Sequence, residues 1–148
     1  MEQKTIAWLT ASPHVVGAYI ENLKFEGVST EVLTHADEAI KAFKKGRKYD
    51  AIVAEFGIDA GFGCQDPMIN SDLQDHYGIV LRVVELTRGE DSINQETPII
   101  LATSMDLDEY NVEDLKKKCL DAGVTQHHNP LKFGLDDFTK VVMSYMNR

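Results

Sequence analysis

Four consecutive apolar residues, Ala51-Ile52-Val53-Ala54, stand between Asp50 and Glu55. A run this short cannot form a useful amphipathic helix, and because it does not alternate with polar residues it predicts a strand covered on both faces. That requirement limits the chain to an architecture with helices above and below a sheet. Other apolar runs of similar length recur at Thr5–Leu9, Ser29–Leu33 and Pro98–Thr103, each followed by a segment of helical period. The strand over Asp50–Phe56 is therefore expected to be central.

Helix signals fall between these runs. Ser12-Pro13 offers an N-cap with proline at the first helical position, ahead of a stripe of Val16, Tyr19, Ile20 and Leu23 that ends at Gly27. Thr34 with Asp37 three residues on resembles a capping box for a helix over Asp37–Lys45, whose buried face is Ala39, Ile40 and Phe43. Gly78–Arg88 stops at Gly89, Val112–Ala122 stops at Gly123, and Leu135–Met146 carries Leu135, Phe138, Val141, Val142 and Tyr145 on one side. Val124–His128 is too polar for a central strand and suits an edge. Five βα units with right-handed crossovers predict an α/β fold, a doubly wound five-stranded parallel sheet in the order 2-1-3-4-5, as one domain over residues 1–148.

Composition narrows the function. With 15 Lys and Arg against 24 Asp and Glu the formal net charge is −9, which disfavours a nucleic-acid partner. Its densest basic runs, at 44–48 and 116–118, read as solvated helix surface. Nothing approaches the roughly 20 apolar residues of a membrane span, and no signal peptide is apparent, so a cytoplasmic protein with no membrane partner is expected. Cys64 and Cys119 lack metal or disulfide spacing and are expected as free thiols. Metal binding by His127-His128 is disfavoured because neighbouring strand residues face opposite ways. Trp8 is expected as core packing, and His14 as the histidine nearest Glu55; His35 and His76 read as surface residues.

In a doubly wound sheet, ligands sit at the carboxyl ends of the strands. The residues there include Thr10, Ala11, Glu55, Thr103, Ser104 and the turn at Asn129-Pro130. Together with Tyr49–Glu55 (YDAIVAE), Thr97–Ser104 (TPIILATS), Ala122-Gly123 and Pro130 in this order, the chain resembles the CheY-like receiver domain of two-component response regulators. The resemblance covers all but an insertion at about 57–77.

A working receiver has an acidic pair after the first strand to hold Mg²⁺, a phosphoacceptor aspartate, a Ser or Thr after the fourth strand and a lysine before the proline. The resemblance puts these on Thr10 with Ala11, on Glu55, on Thr103 and on Asn129, with the aromatic switch position on Gln126. Only the hydroxyl is kept, so the resemblance implies a degenerate pseudo-receiver that is not an enzyme and carries no metal or cofactor. Glu55 either mimics a phosphorylated state or is only a strand-end carboxylate bonded to Thr10 or Thr103. The implied function is a phosphorylation-independent interaction module with a protein partner in a signalling pathway. The expected surface is the fourth helix, fifth strand and fifth helix, and a homodimer is compatible with it.

Two alternatives stand beside this reading: a response regulator phosphorylated by a non-standard route, and a flavodoxin-like cofactor binder. The second is poorly supported, because Thr10–His14 has no glycine to wrap a phosphate. Phe62, Met68, Ile69 and Leu73 in the insertion are expected either to pack over the former phosphorylation edge or to meet a partner.

Overall fold

The computed structural model describes residues 3–55, 76–102 and 112–146, with side chains at 76–78, 112–116 and 131 left aside. The insertion residues Phe62, Met68, Ile69 and Leu73, together with Thr103, Ser104 and Cys64, lie outside the described residues.

Strands β1 (Lys4–Leu9), β2 (Val28–Leu33), β3 (Ala51–Glu55), β4 (Ile99–Ala102) and β5 (Gln126–His128) form one parallel sheet in the order β2-β1-β3-β4-β5. β3 is central and the polar β5 is an edge, as the sequence pattern predicts. Side chains alternate across the sheet, so each strand feeds two cores. Ile6, Trp8, Ala51, Val53, Ile100 and Ala102 pack with helices α1 (Gly17–Phe25) and α5 (Leu135–Met146) through Leu23, Phe138 and Val142. Ala7, Leu9, Ile52, Ala54, Ile99 and Leu101 face the other way. There they meet Ala39 of α2 (Ala36–Lys41), Val80, Val83 and Val84 of α3 (His76–Thr87), and Cys119 of α4 (Val112–Ala122). Burial pushes the Cys119 thiol up to about 12, so this free cysteine is an inert core residue.

Helix stops are written largely by glycine. At the end of α4, Gly123 adopts φ +123°, its N–H bonds the Leu120 carbonyl, and the Val124 N–H bonds that of Cys119. That paired closure consumes Val124. β5 consequently starts at Gln126 and not at Val124, although Thr125 already exchanges hydrogen bonds with Ile99.

Three helix starts differ from the sequence expectation, α3 by beginning at His76, two residues before Gly78, and the first two for reasons visible in their hydrogen bonds. Ser12-Pro13 does not cap α1: the Ser12 N–H is drawn to Thr10 Oγ1 at 3.1 Å, and its carbonyl closes a turn with the Val15 N–H. With those groups engaged, the helix starts four residues later at Gly17, without a side-chain cap. The second helix starts at Ala36, and Glu38 rather than Asp37 reaches back to the Thr34 N–H. It is regular only to Lys41. From Ala42 to Gly46 it widens into a π-helical turn, with the Arg47 N–H bonded to the Ala42 carbonyl.

Candidate functional site

β1, β3, β4 and β5 all point their carboxyl ends to one edge of the sheet. Glu55 pairs in register with Ala102, and Ala102 with His128; Thr10 follows the Leu9–Ala54 pair by one residue. Thr10 and Glu55 thus bracket the β1–β3 end, on the face covered by α1 and α5.

Glu55 is already engaged there. The Trp8 indole N–H donates to Glu55 Oε2 at 2.5 Å, and the Thr10 side chain makes a second hydrogen bond to the carboxylate. Burial raises the Glu55 carboxyl above its usual range, while the Thr10 and Trp8 hydrogen bonds pull it partly back. Thr10 itself is fully buried, and its hydroxyl oxygen also accepts the Ser12 N–H.

Of the two partners the sequence offered for Glu55, Thr10 acts on the carboxyl and lowers its pKa, while Thr103 lies outside the described residues. His14, offered as the histidine nearest Glu55, is exposed and contributes nothing to the carboxyl's surroundings. Trp8 does more than pack. Its ring lies 5.0 Å from Phe138 and 5.8 Å from Tyr19, so the indole body is in the core while its N–H points to the edge. A signal for this was present in the sequence. Trp8 and Thr10 share a strand face, Glu55 follows Val53 on the same face, and a buried indole N–H requires an acceptor.

The remaining positions are tied into the scaffold. Asn129 accepts the Lys132 N–H through Oδ1 at 3.1 Å and caps a one-turn helix, Pro130–Phe133. Gln126 accepts the Tyr145 hydroxyl from α5. His128 is buried, with Nε2 on Asp137 Oδ2 at 2.8 Å and its ring between Phe133 and Phe138.

Divalent-cation binding at this edge would fall to Thr10, Ala11 and Glu55. That set offers one carboxylate, which is already hydrogen-bonded twice, and Ala11 has no side-chain oxygen. It does not suit a hard cation that needs several oxygen ligands. Among the described residues no three His, Cys, Asp or Glu side chains converge on a metal position.

No family model matches the chain, and no curated protein matches it. Solved structures do. A putative response regulator from Chloroflexus aurantiacus superposes with a TM-score of 0.70 at 15% identity, covering 99% of this chain and 100% of that one. The fold is that of a response-regulator receiver domain. A response regulator from Thermotoga maritima gives 0.68 at 15% identity, with 99% and 100% covered. The receiver domain of the sensor histidine kinase PA1611 from Pseudomonas aeruginosa, whose own active-site cleft coordinates a magnesium ion, gives 0.64 at 15% identity with the same coverage. At these identities the receiver fold is shared while the residues at its carboxyl edge are free to differ. Here Trp8, Thr10 and Glu55 form a hydrogen-bonded group of their own.

Proposed function

We propose that this chain is a pseudo-receiver, a cytoplasmic signalling module that binds protein partners without being phosphorylated and without enzymatic activity. The observation that carries the reading is the engagement of Glu55 by Trp8 and Thr10. Phosphoryl transfer to a receiver depends on a carboxylate free to attack and on cations that neutralise the transferred group. Here the carboxylate at that position is engaged by Trp8 of β1 and by Thr10 just after it. Thr10 and Ala11 supply no anionic anchor for Mg²⁺, and Asn129 supplies no cation.

The hydrogen bonds from Trp8 and Thr10 also fasten β1 to β3 at the edge where a receiver would change shape, which supports a domain kept in one state. In a module of this kind recognition falls to a fixed outer surface. The face of α4, β5 and α5 is the expected one, and Leu120 lies partly exposed on α4. No described helix is long and apolar enough to cross a membrane.

Incubation with acetyl phosphate and Mg²⁺, followed by intact-mass measurement, should show no phosphoryl addition. A stable, Mg²⁺-dependent gain of one phosphoryl group would instead establish a regulator phosphorylated by a non-standard route.

A further inference from the structure

The opposite, amino-terminal edge of the sheet carries charge of the wrong sign for the molecule as a whole. Between Lys41 and Lys48 the chain places five cations in eight residues with no carboxylate among them, in a protein of net charge −9. The segment is the end of α2, the π-helical turn and the approach to β3. Arg47 and Lys48, with Gln3, Lys4, Thr5 and Asp50, line an open recess of about 440 Å³. Its one carboxylate has other commitments: Asp50 Oδ2 accepts the Thr5 N–H at 2.8 Å, and Oδ1 lies 3.8 Å from Lys4 Nζ. Arg47 stands 3.8 Å from Glu31, whose carboxylate also accepts the Tyr49 hydroxyl at 2.9 Å. Lys44 is paired with Asp91 at 2.9 Å and Lys45 also acts on that carboxylate, but Lys45 and Lys48 are exposed and neither lies within 4 Å of a carboxylate among the described residues.

A run of surface lysines is ordinarily a solvated face, but this one sits on a backbone that is fixed from beneath. The fully buried Asn94 donates through Nδ2 to the Phe43 carbonyl at 2.9 Å and to the Arg47 carbonyl at 2.8 Å. The Ser92 hydroxyl adds a second bond to the Phe43 carbonyl at 3.1 Å. A π-helical turn is a rare conformation that tends to occur where function requires it, and this one carries Lys44 and Lys45. The cations are thereby presented from a rigid base, so less ordering entropy opposes binding than on a mobile loop.

The geometry points to this recess as the docking surface for an acidic segment of a partner protein. The inference rests on the reading that the chain acts by binding proteins, and it adds a place and a chemistry: carboxylate side chains of an extended peptide laid against Arg47 and Lys48 of the recess and continuing toward Lys45 on the π-helical turn that precedes them. Charge complementarity selects the occupant, since a second copy of this acidic chain would be repelled over most of its surface.

The test is fluorescence anisotropy of a labelled octaglutamate peptide titrated with the full chain at low and at physiological salt. Binding should weaken with salt. Lys45→Glu with Lys48→Glu should weaken it by about tenfold or more, since each lost exposed pair becomes a repulsive one. Lys24→Glu with Lys132→Glu changes the net charge equally, away from both this recess and the α4, β5 and α5 face, and should leave affinity within about twofold. All four lysines are exposed, and matched melting curves would show the variants folded. No measurable binding at low salt, or equal weakening by both pairs, would overturn the inference. Tripolyphosphate bound at the recess in place of the peptide would overturn the protein partner in favour of a phosphate-bearing small molecule. None of these results depends on whether acetyl phosphate modifies the chain, so failure here is distinguishable from failure of the pseudo-receiver reading.

Discussion

Asn94→Ala should destabilise the protein by about 3 kcal/mol or more, lowering the melting temperature by roughly 10 °C at this chain length. Asn94 is fully buried and uses its whole side-chain capacity. Oδ1 accepts the Tyr49 N–H and the Thr97 hydroxyl, each at 2.9 Å, while Nδ2 donates to the carbonyls of Phe43 and Arg47. Alanine would not strand all four partners equally. The Phe43 carbonyl keeps the Ser92 hydroxyl, and the Thr97 hydroxyl keeps the Tyr49 carbonyl at 3.3 Å. The Tyr49 N–H and the Arg47 carbonyl lose the hydrogen bond by which Asn94 holds them; the buried Tyr49 N–H costs about 1–3 kcal/mol, the partly buried Arg47 carbonyl less, and the lost side-chain bonds add to both. Asn94→Asp should be at least as damaging, because it turns a donor into lone pairs facing two carbonyl oxygens. Urea unfolding of the three proteins checks both; an Asn94→Asp variant as stable as the wild type would show that the amide donor does not hold the turn.

Nothing in the sequence marks Asn94 as central. It sits in a polar stretch between Arg88 and Thr97 that has no periodicity, and its role depends on contacts some 50 positions away in the chain. The strands, by contrast, were legible because burial on both faces leaves an unbroken apolar run, as in Ala51–Ala54, and a row of such runs admits few sheet orders. Gly123 was legible as a helix stop because the positive φ there suits a residue with no Cβ.

The departures from expectation come from hydrogen bonds that the sequence pattern does not announce, some local and some from far along the chain. Ser12 is a good N-cap by residue type, yet its N–H finds the Thr10 hydroxyl first, and the helix is displaced to Gly17. The π-helical turn at Ala42–Gly46 has no pattern of its own; it follows from Asn94 and Ser92 pulling on the Phe43 carbonyl from another part of the chain. At the carboxyl edge the sequence placed Thr10 and Glu55 at neighbouring strand ends, and the register agrees. The Trp8 donor to Glu55 was not read from the sequence, because the resemblance directs attention to the strand ends and not to an indole inside β1.

Trp8→Phe should cost about 1–3 kcal/mol near neutral pH, and that loss should shrink as the pH falls. Phenylalanine retains much of the contact with Phe138 and Tyr19 but removes the indole N–H, leaving the partly buried Glu55 carboxylate with Thr10 alone. The sign follows from the carboxyl. Burial raises its folded-state value above the unfolded one, so its contribution to stability is fully present below the unfolded value of about 4.3 and is lost as pH rises through the folded value. Trp8 is one of two groups that limit this rise, so its removal raises the carboxyl further and deepens the loss on the alkaline side. Glu55→Gln, which keeps an acceptor but carries no charge, should instead be more stable than the wild type near neutral pH. In that background Trp8→Phe should show no pH dependence from this site. Because Trp8 is the single tryptophan, its emission should titrate with Glu55 at a midpoint above the ordinary glutamate range, and Glu55→Gln should abolish that transition. A flat emission profile, or a transition that survives Glu55→Gln, would sink the assignment of the indole N–H to this carboxylate. It would also remove the observation on which the pseudo-receiver reading stands.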